Sequence, residues 1–272
     1  MPETPEENVK RAQQGDQAAL EELIHQIEGK VYGLALQMLW HPSDAQDAAQ
    51  EILLRVVTRL GSFRGDSRFF TWVYRIATNH LLRFRKSRLE EQGFTFESFG
   101  KDLEEGLSDV SVRPDDSLLL QEVRIGCTLG MLLCLDRPQR MAYILGEILE
   151  MDSPEASKIL QVSESAFRKR LERARSKITE FVQARCGLAN PKNACRCGRR
   201  LNRALELGRV DRENLLFARD RENAGNFPDV LVKIRQLEET QRAVALFRSH
   251  PQCAMPNFTA AVRDLLNYPD IS

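Results

Sequence analysis

The chain has 272 residues, with 39 Lys and Arg balanced by 39 Asp and Glu for a formal net charge of zero. That length holds one to three domains with real cores, and the charge balance excludes a general polycation, so any nucleic-acid site must be a local patch. No apolar run approaches a bilayer span and the start MPETPEENVK lacks the form of a secretory signal, so the expectation is a cytoplasmic protein without membrane insertion. The six cysteines then read as thiols rather than a disulfide framework. Charged residues are abundant, glycine is sparse and strand-like alternation is hard to find, which predicts an all-α fold.

Taken in order, Asn8 to Gln26 reads as a helix with Ala12, Ala19, Leu20, Leu23 and Ile27 at helical spacing, and Val31 to Leu39 as a second helix stopped at the HPSD turn. Ser43 is the expected cap of the next helix, with Asp44 and Asp47 in its first turn and Ala48, Ile52, Val56 and Leu60 facing inward. Gly61 and Gly65 bracket a loop. The stretch FRGDSRFFTWVYRIATNHLLRFRKSR follows, Phe63 to Arg88. With Phe70 to Lys86 on a helix, Val73, Ala77, Leu81 and Phe84 share a core face, while Trp72, Arg75, Asn79, Arg83 and Lys86 share another. An aromatic, cations and an amide on one face suit a single strand of nucleic acid: bases stack, arginines meet phosphates, and the amide bonds a base edge. Trp72 reads equally as a packing residue and the arginines as solubilising charge.

Leu89 to Ser117 is rich in acid, with only Lys101 and Arg113 against it, and is interrupted by Gly93, Gly100, Gly106 and Pro114; it reads as a flexible acidic linker. Helices return at Leu118 to Leu135, at Gln139 to Glu150, and at a short segment opened by Asp152, Ser153 and Pro154, with Ser153 as the expected cap. After QVSES a longer helix runs from Glu164 to about Arg185. The sequence SPEASKILQVSESAFRKRLERARSK is helix, turn, helix, with Ala156, Ile159, Leu160, Val162, Phe167, Leu171 and Ala174 as its small core and a basic second helix suited to a DNA major groove. A basic surface helix of an ordinary bundle is the plainer alternative. Beyond it, CGLANPKNACRCGRR leads into amphipathic segments, Val230 to Phe247 and Phe258 to Leu266. Val230, Ile234, Leu237, Val244 and Phe247 form an apolar stripe that must be buried somewhere.

DAQDAAQEILLRVVTRLGSFRGDSRFFTWVYRIATNHLL resembles the core domain of bacterial RNA polymerase sigma factors of the extracytoplasmic-function group, and LDRPQRMAYILGEILEMDSPEASKILQVSESAFRKRLERARSKI resembles their promoter-reading domain. The resemblance covers about residues 5 to 184. Within it, Phe70 stands where the family usually has a basic residue, Gln161 where a glycine often makes the bend, and Ala166 and Phe167 alter the start of the reading helix. It implies a region 2 domain over 1–88, an acidic linker over 89–117, a region 4 helix-turn-helix domain over 118–185, and a C-terminal extension over 186–272. It also implies a transcription initiation factor whose partners are core RNA polymerase and promoter DNA, with an anti-sigma protein as a further candidate.

Asp47, Gln50, Glu51 and Arg55 are the polymerase-contact candidates that the resemblance implies. Phe63, Arg64, Trp72, Arg75, Asn79, Arg83 and Lys86 are those for the melted minus-ten element. Ser163, Glu164, Ser165, Arg168 and Lys169 are those nearest base edges at the minus-thirty-five element, with Arg170, Arg173 and Arg175 on phosphate or packed by their stems. In this family the acidic linker threads polymerase channels otherwise occupied by nucleic acid.

No catalytic constellation is visible. His25, His41, His80 and His250 are scattered, and there is no Gly-rich phosphate loop. Cys186, Cys195 and Cys197, spaced Cys-x8-Cys-x-Cys, are candidates for zinc, with Cys253 or His250 as a distant fourth ligand, for a redox pair, or for ordinary reduced thiols. Cys127 and Cys134 read as core. Two rival functions are a stand-alone helix-turn-helix regulator with a zinc or redox sensing extension, and a metal-dependent nucleic-acid hydrolase using the cysteine loop. The first leaves the Phe63 to Arg88 face unused. The second needs an acid cluster near the loop, and none is evident.

Overall fold

The computed structural model describes residues 4–108, 116–218, 232–234, 236–237, 239–250, 256–259 and 262. Among these the regular elements are helical, and no helix is long and apolar enough to cross a membrane. The chain divides into two compact units. The first comprises residues 1–85, 152–167 and 255–272, and the second 86–151 and 168–254.

The first unit opens with α1, Pro5–Gln13, and α2, Gln17–Leu39. The break falls at residues 14–16, not near residue 28 as expected. Gly15 takes φ +94, and the Asp16 carboxylate accepts from Ala19 N at 3.1 Å, capping a helix that then runs unbroken through Gly33. Trp40, at φ +69, stops α2. Helix α3 spans Pro42–Arg59, with His41 rather than Ser43 as its cap, because Pro42 is already in the first turn. Ala48, Ile52, Val56 and Leu60 are buried as expected. Helix α4, Phe69–Arg83, buries Phe69, Val73, Ala77 and Leu81 on the same core. It ends before Lys86: Phe84 is extended, so Lys86 lies off the helix.

The second unit begins with the segment expected to be a flexible tether. Residues 89–108 instead carry two short helices, α5, Arg88–Glu91, and α6, Phe96–Glu104, each opened by a capping box from Ser87 or Thr95. Phe99 and Leu103 are buried, and Phe99 stacks on Phe181 at 5.6 Å. Asp109, Arg113, Pro114 and Asp115 lie outside the described residues. Helix α7, Ser117–Leu133, and helix α8, Arg137–Tyr143, follow, the latter running into a π-helical turn over Ile144–Ile148. Arg140, only 1% exposed, donates to the carbonyls of Leu132 and Leu135 at 2.8 and 3.0 Å and so closes the end of α7.

Helix α9 is Ser153–Leu160 and α10 is Glu164–Arg185. Asp152, not Ser153, caps α9, accepting from Glu155 N at 2.8 Å, since Pro154 again sets the frame. The extension contributes α11, Cys197–Glu206, and α12, Glu239–Arg248. Leu201, Ala204 and Val210 share a buried cluster with Leu119 of α7. The Glu122 carboxylate accepts from Leu216, Phe217 and Ala218 N–H at 2.7–2.9 Å. Ile234, Val244 and Phe247 of the expected stripe are buried, whereas Leu237 is exposed and Val230 lies outside the described residues.

Candidate nucleic-acid interface

Helices α3 and α4 wall an open cleft of about 1170 Å³ within the first unit. Asp47, Gln50, Glu51 and Arg55 line it from α3, and Trp72, Arg75, Asn79 and Arg83 line it from α4. The helical period explains the grouping: on each helix the apolar stripe is spent on the core, which leaves the polar stripes facing one another across the opening. Phe63, Arg64 and Lys86 do not line this cleft. Phe63 stands behind it, its ring 5.3 Å from Trp72 and 5.9 Å from Phe69. Gln13 Nε2 fixes the loop that carries it by donating to Leu60 O at 2.9 Å and Phe63 O at 3.0 Å. Arg64 is exposed beyond that anchor.

Trp72 is both packed and cleft-lining. One side stacks on Phe69, centroid to centroid at 6.1 Å, and the rest lines the cleft. Arg75 Nε is buried without a hydrogen-bond partner, a donor in the cleft wall. Arg83 is exposed. The lining also includes His80 and Arg85, which are outside the sequence candidates. His80 is buried 3.8 Å from Glu51 Oε2, and burial, with Arg55 beside it, lowers its pKa against the opposing pull of Glu51. Arg85 is tied to Asp44 and Asp47 at 2.6 and 3.3 Å. The signal for His80 was its place next to Asn79 on α4; for Arg85, beyond the helix end, no local pattern exists.

In the helix-turn-helix, Gln161 adopts φ +54 where the family often has glycine, so the left-handed bend is made without one. Ser163 caps α10, its Oγ accepting from Ala166 N at 3.2 Å. Ser163, Glu164, Ser165, Arg168, Lys169 and Arg173 are exposed, and Arg170 is half-buried. Phe167, at the altered start of the reading helix, is fully buried and so serves packing. Arg175 is engaged within its own unit, donating from Nε to Glu147 Oε1 at 2.8 Å.

At the start of the extension, Cys186 and Cys195 form an isolated backbone bridge, with Gly187 N donating to Cys195 O at 3.0 Å. Asn190 and Asn193 cap Gln183 O at 3.1 and 2.8 Å, closing the end of α10. Burial and neighbouring thiols raise Cys195 to about 11 and Cys197 to about 12, and burial raises Cys186. Cys127 belongs to the same environment: its thiol is pushed up first by burial, then by Cys186, Cys195 and Cys197. Yet among the described residues no group of three or more His, Cys, Asp or Glu side chains could hold a metal ion. His250, the suggested fourth ligand, bonds Thr128 Oγ1 at 2.7 Å, and Cys253 lies outside the described residues.

Among the described residues the regular elements are helices, with a cleft between α3 and α4 and a helix-turn-helix at α9 and α10, and comparison with known families gives the class. The Sigma-70 region 2 family model matches residues 23–90, and the Sigma-70 region 4 model matches residues 125–178. The RNA polymerase sigma-H factor of Pseudomonas aeruginosa is 31% identical over 188 residues, spanning 66% of this chain and 95% of the relative. The ECF RNA polymerase sigma-E factor of Escherichia coli K12 is 33% identical over 184 residues, spanning 64% of this chain and 92% of the relative. Among solved structures, CnrH in complex with the cytosolic domain of CnrY aligns at a TM-score of 0.46 and 24% identity, over 65% of this chain and 96% of that one. The chain belongs to the extracytoplasmic-function (ECF) group of RNA polymerase sigma factors. It is a transcription initiation factor that directs RNA polymerase to promoters, which retires the stand-alone regulator.

Proposed function

We propose that the cleft between α3 and α4 is where this sigma factor meets both polymerase and the melted minus-ten strand. Asp47, Gln50, Glu51 and Arg55 contact the polymerase clamp. Trp72, Arg75, Asn79 and Arg83 hold the strand by stacking, edge and phosphate contacts, aided by Phe63, Arg64 and Lys86. The observation that carries this reading is the single cleft lined by both residue sets, with the unpartnered Arg75 Nε in its wall. Chain segments 1–88 and 118–185 act as the minus-ten and minus-thirty-five modules. Ser163, Glu164, Ser165, Arg168 and Lys169 read base edges, and Arg170 and Arg173 hold phosphate. The acidic segment 89–117 threads polymerase, in the cytoplasm, and all bond-making belongs to polymerase.

The test is Arg75→Ala and Asn79→Ala in transcription with core polymerase. Open-complex formation should fall while core binding stays near wild type. Unchanged open-complex formation, or loss of core binding in both variants, sinks the assignment.

A further inference from the structure

The strongest unexplained feature is the number of basic groups that the extension commits to one acidic segment. Asp102 of α6 takes Arg209 through both oxygens, Nη1 to Oδ2 at 2.6 Å and Nη2 to Oδ1 at 2.9 Å. Arg200 of α11 reaches the same carboxylate at 3.2 Å and also donates to Glu105 O. Ser108 N donates to Arg199 O at 3.1 Å. Gly106, at φ +65, lies so close to the Arg203 stem that a Cβ there would stand 2.8 Å from Arg203 Cδ. From α10, Arg185 pairs with Glu104, and Phe181 packs on Phe96 and Phe99.

We propose that α11 and the turn after it form a receptor for the acidic segment 95–108, filled in this structure by the chain's own segment, and that polymerase must strip the segment from it. A carboxylate held by two guanidiniums, one of them bidentate, is the recognition used for phosphate and acidic chains. The receptor therefore offers in cis what a basic channel offers in trans. The exposed part of the hold is the Arg209 pair, whose side chain is 44% exposed and therefore screened, whereas Arg200, Phe99 and Leu103 are buried. Polymerase and receptor then compete for one segment, and each kcal/mol that favours the receptor is subtracted from polymerase affinity. This competition rests on the proposed threading of the segment through polymerase; the receptor itself does not.

The experiment uses the full chain as wild type, Asp102→Asn, Asp102→Glu and Arg209→Glu, with hydrogen exchange read over residues 96–108 and affinity measured for core polymerase. Asp102→Asn and Arg209→Glu should each speed exchange in that segment by about threefold to tenfold and tighten polymerase binding by a similar factor. Exchange in α2 and α3 should not move, and Asp102→Glu, which keeps the charge, should stay near wild type. Unchanged exchange in both charge-breaking variants overturns the receptor. Faster exchange with unchanged or weaker polymerase binding overturns the competition. Failure of the wild type to bind polymerase at all would count against the proposed function instead, and the exchange data would still judge the receptor.

Discussion

Glu90 and Arg137 pair at 2.9 Å with both side chains nearly buried, joining the start of the acidic segment to α8. Arg140 meets the other carboxylate oxygen at 3.0 Å. Burial opposes the charge, but Arg137 and Arg140 outweigh it and hold the Glu90 carboxyl at about 2. The folded pKa is depressed, so the stabilisation is complete above the ordinary carboxylate range and is lost as pH falls from about 4.5 towards about 2. Glu90→Gln should leave two buried guanidiniums without their counter-charge and cost about 3 kcal/mol. Thermal melts across this pH window check both points: the wild type should lose stability on acidification, and the variant should lose less.

Gln161→Gly should be neutral to stabilising by up to about 1 kcal/mol, because glycine meets φ +54 without a Cβ penalty but loosens the unfolded chain. Gln161→Val should cost more than 1 kcal/mol, roughly the left-handed penalty of a branched side chain. Denaturant midpoints decide it; a stabilised valine variant would contradict the bend.

Three arginines on α10 should separate by readout. Arg168→Ala should cost about 1–3 kcal/mol at one promoter base pair and relax selectivity there. Arg173→Ala should weaken binding across sequences and reduce the salt slope by about one. Arg175→Ala, which leaves Glu147 without its guanidinium, should lower thermal stability before it alters promoter choice. Binding to a promoter library at two salt concentrations, with melting curves, distinguishes the three.

The thiols should be sluggish at neutral pH. With burial holding Cys195 at about 11, thiolate is scarce near pH 7, so alkylation there should be slower than for an exposed thiol and should climb as pH approaches 11. Rapid labelling of Cys195 at pH 7 in the folded chain would contradict this.

The sequence was most readable where a residue's environment is set by its own helix. Ala48, Ile52 and Val56 on α3, and Val73, Ala77 and Leu81 on α4, are buried as their spacing implied. Most of the candidate site followed from this, because a helix whose apolar stripe is known has its polar stripe known too. The cap residues were missed by one or two positions: Pro42 and Pro154 fix the first turns, which moves the caps to His41 and Asp152. The acidic segment was misread for a different reason. Glu90 and Asp102 look like solvated charge until Arg137, Arg140, Arg200 and Arg209 are known to stand against them, and those partners are distant in sequence. Likewise Cys127 looked like core from α7 alone, and only the fold brings Cys186, Cys195 and Cys197 into its surroundings.

The cluster of Leu119, Leu201, Ala204 and Val210 bears on how this sigma factor can be dissected. The region 4 family match ends at residue 178, but Arg185, where α10 ends, is a poor place to cut. A chain ending there would bare the Leu119 side of α7 to water and strip Glu122 of the three N–H donors that justify burying its charge. Such a fragment should be sticky and unstable for reasons unrelated to regulation, so loss of activity on truncation would say little about control. Point changes at the solvent-facing Arg209 leave that shared core whole.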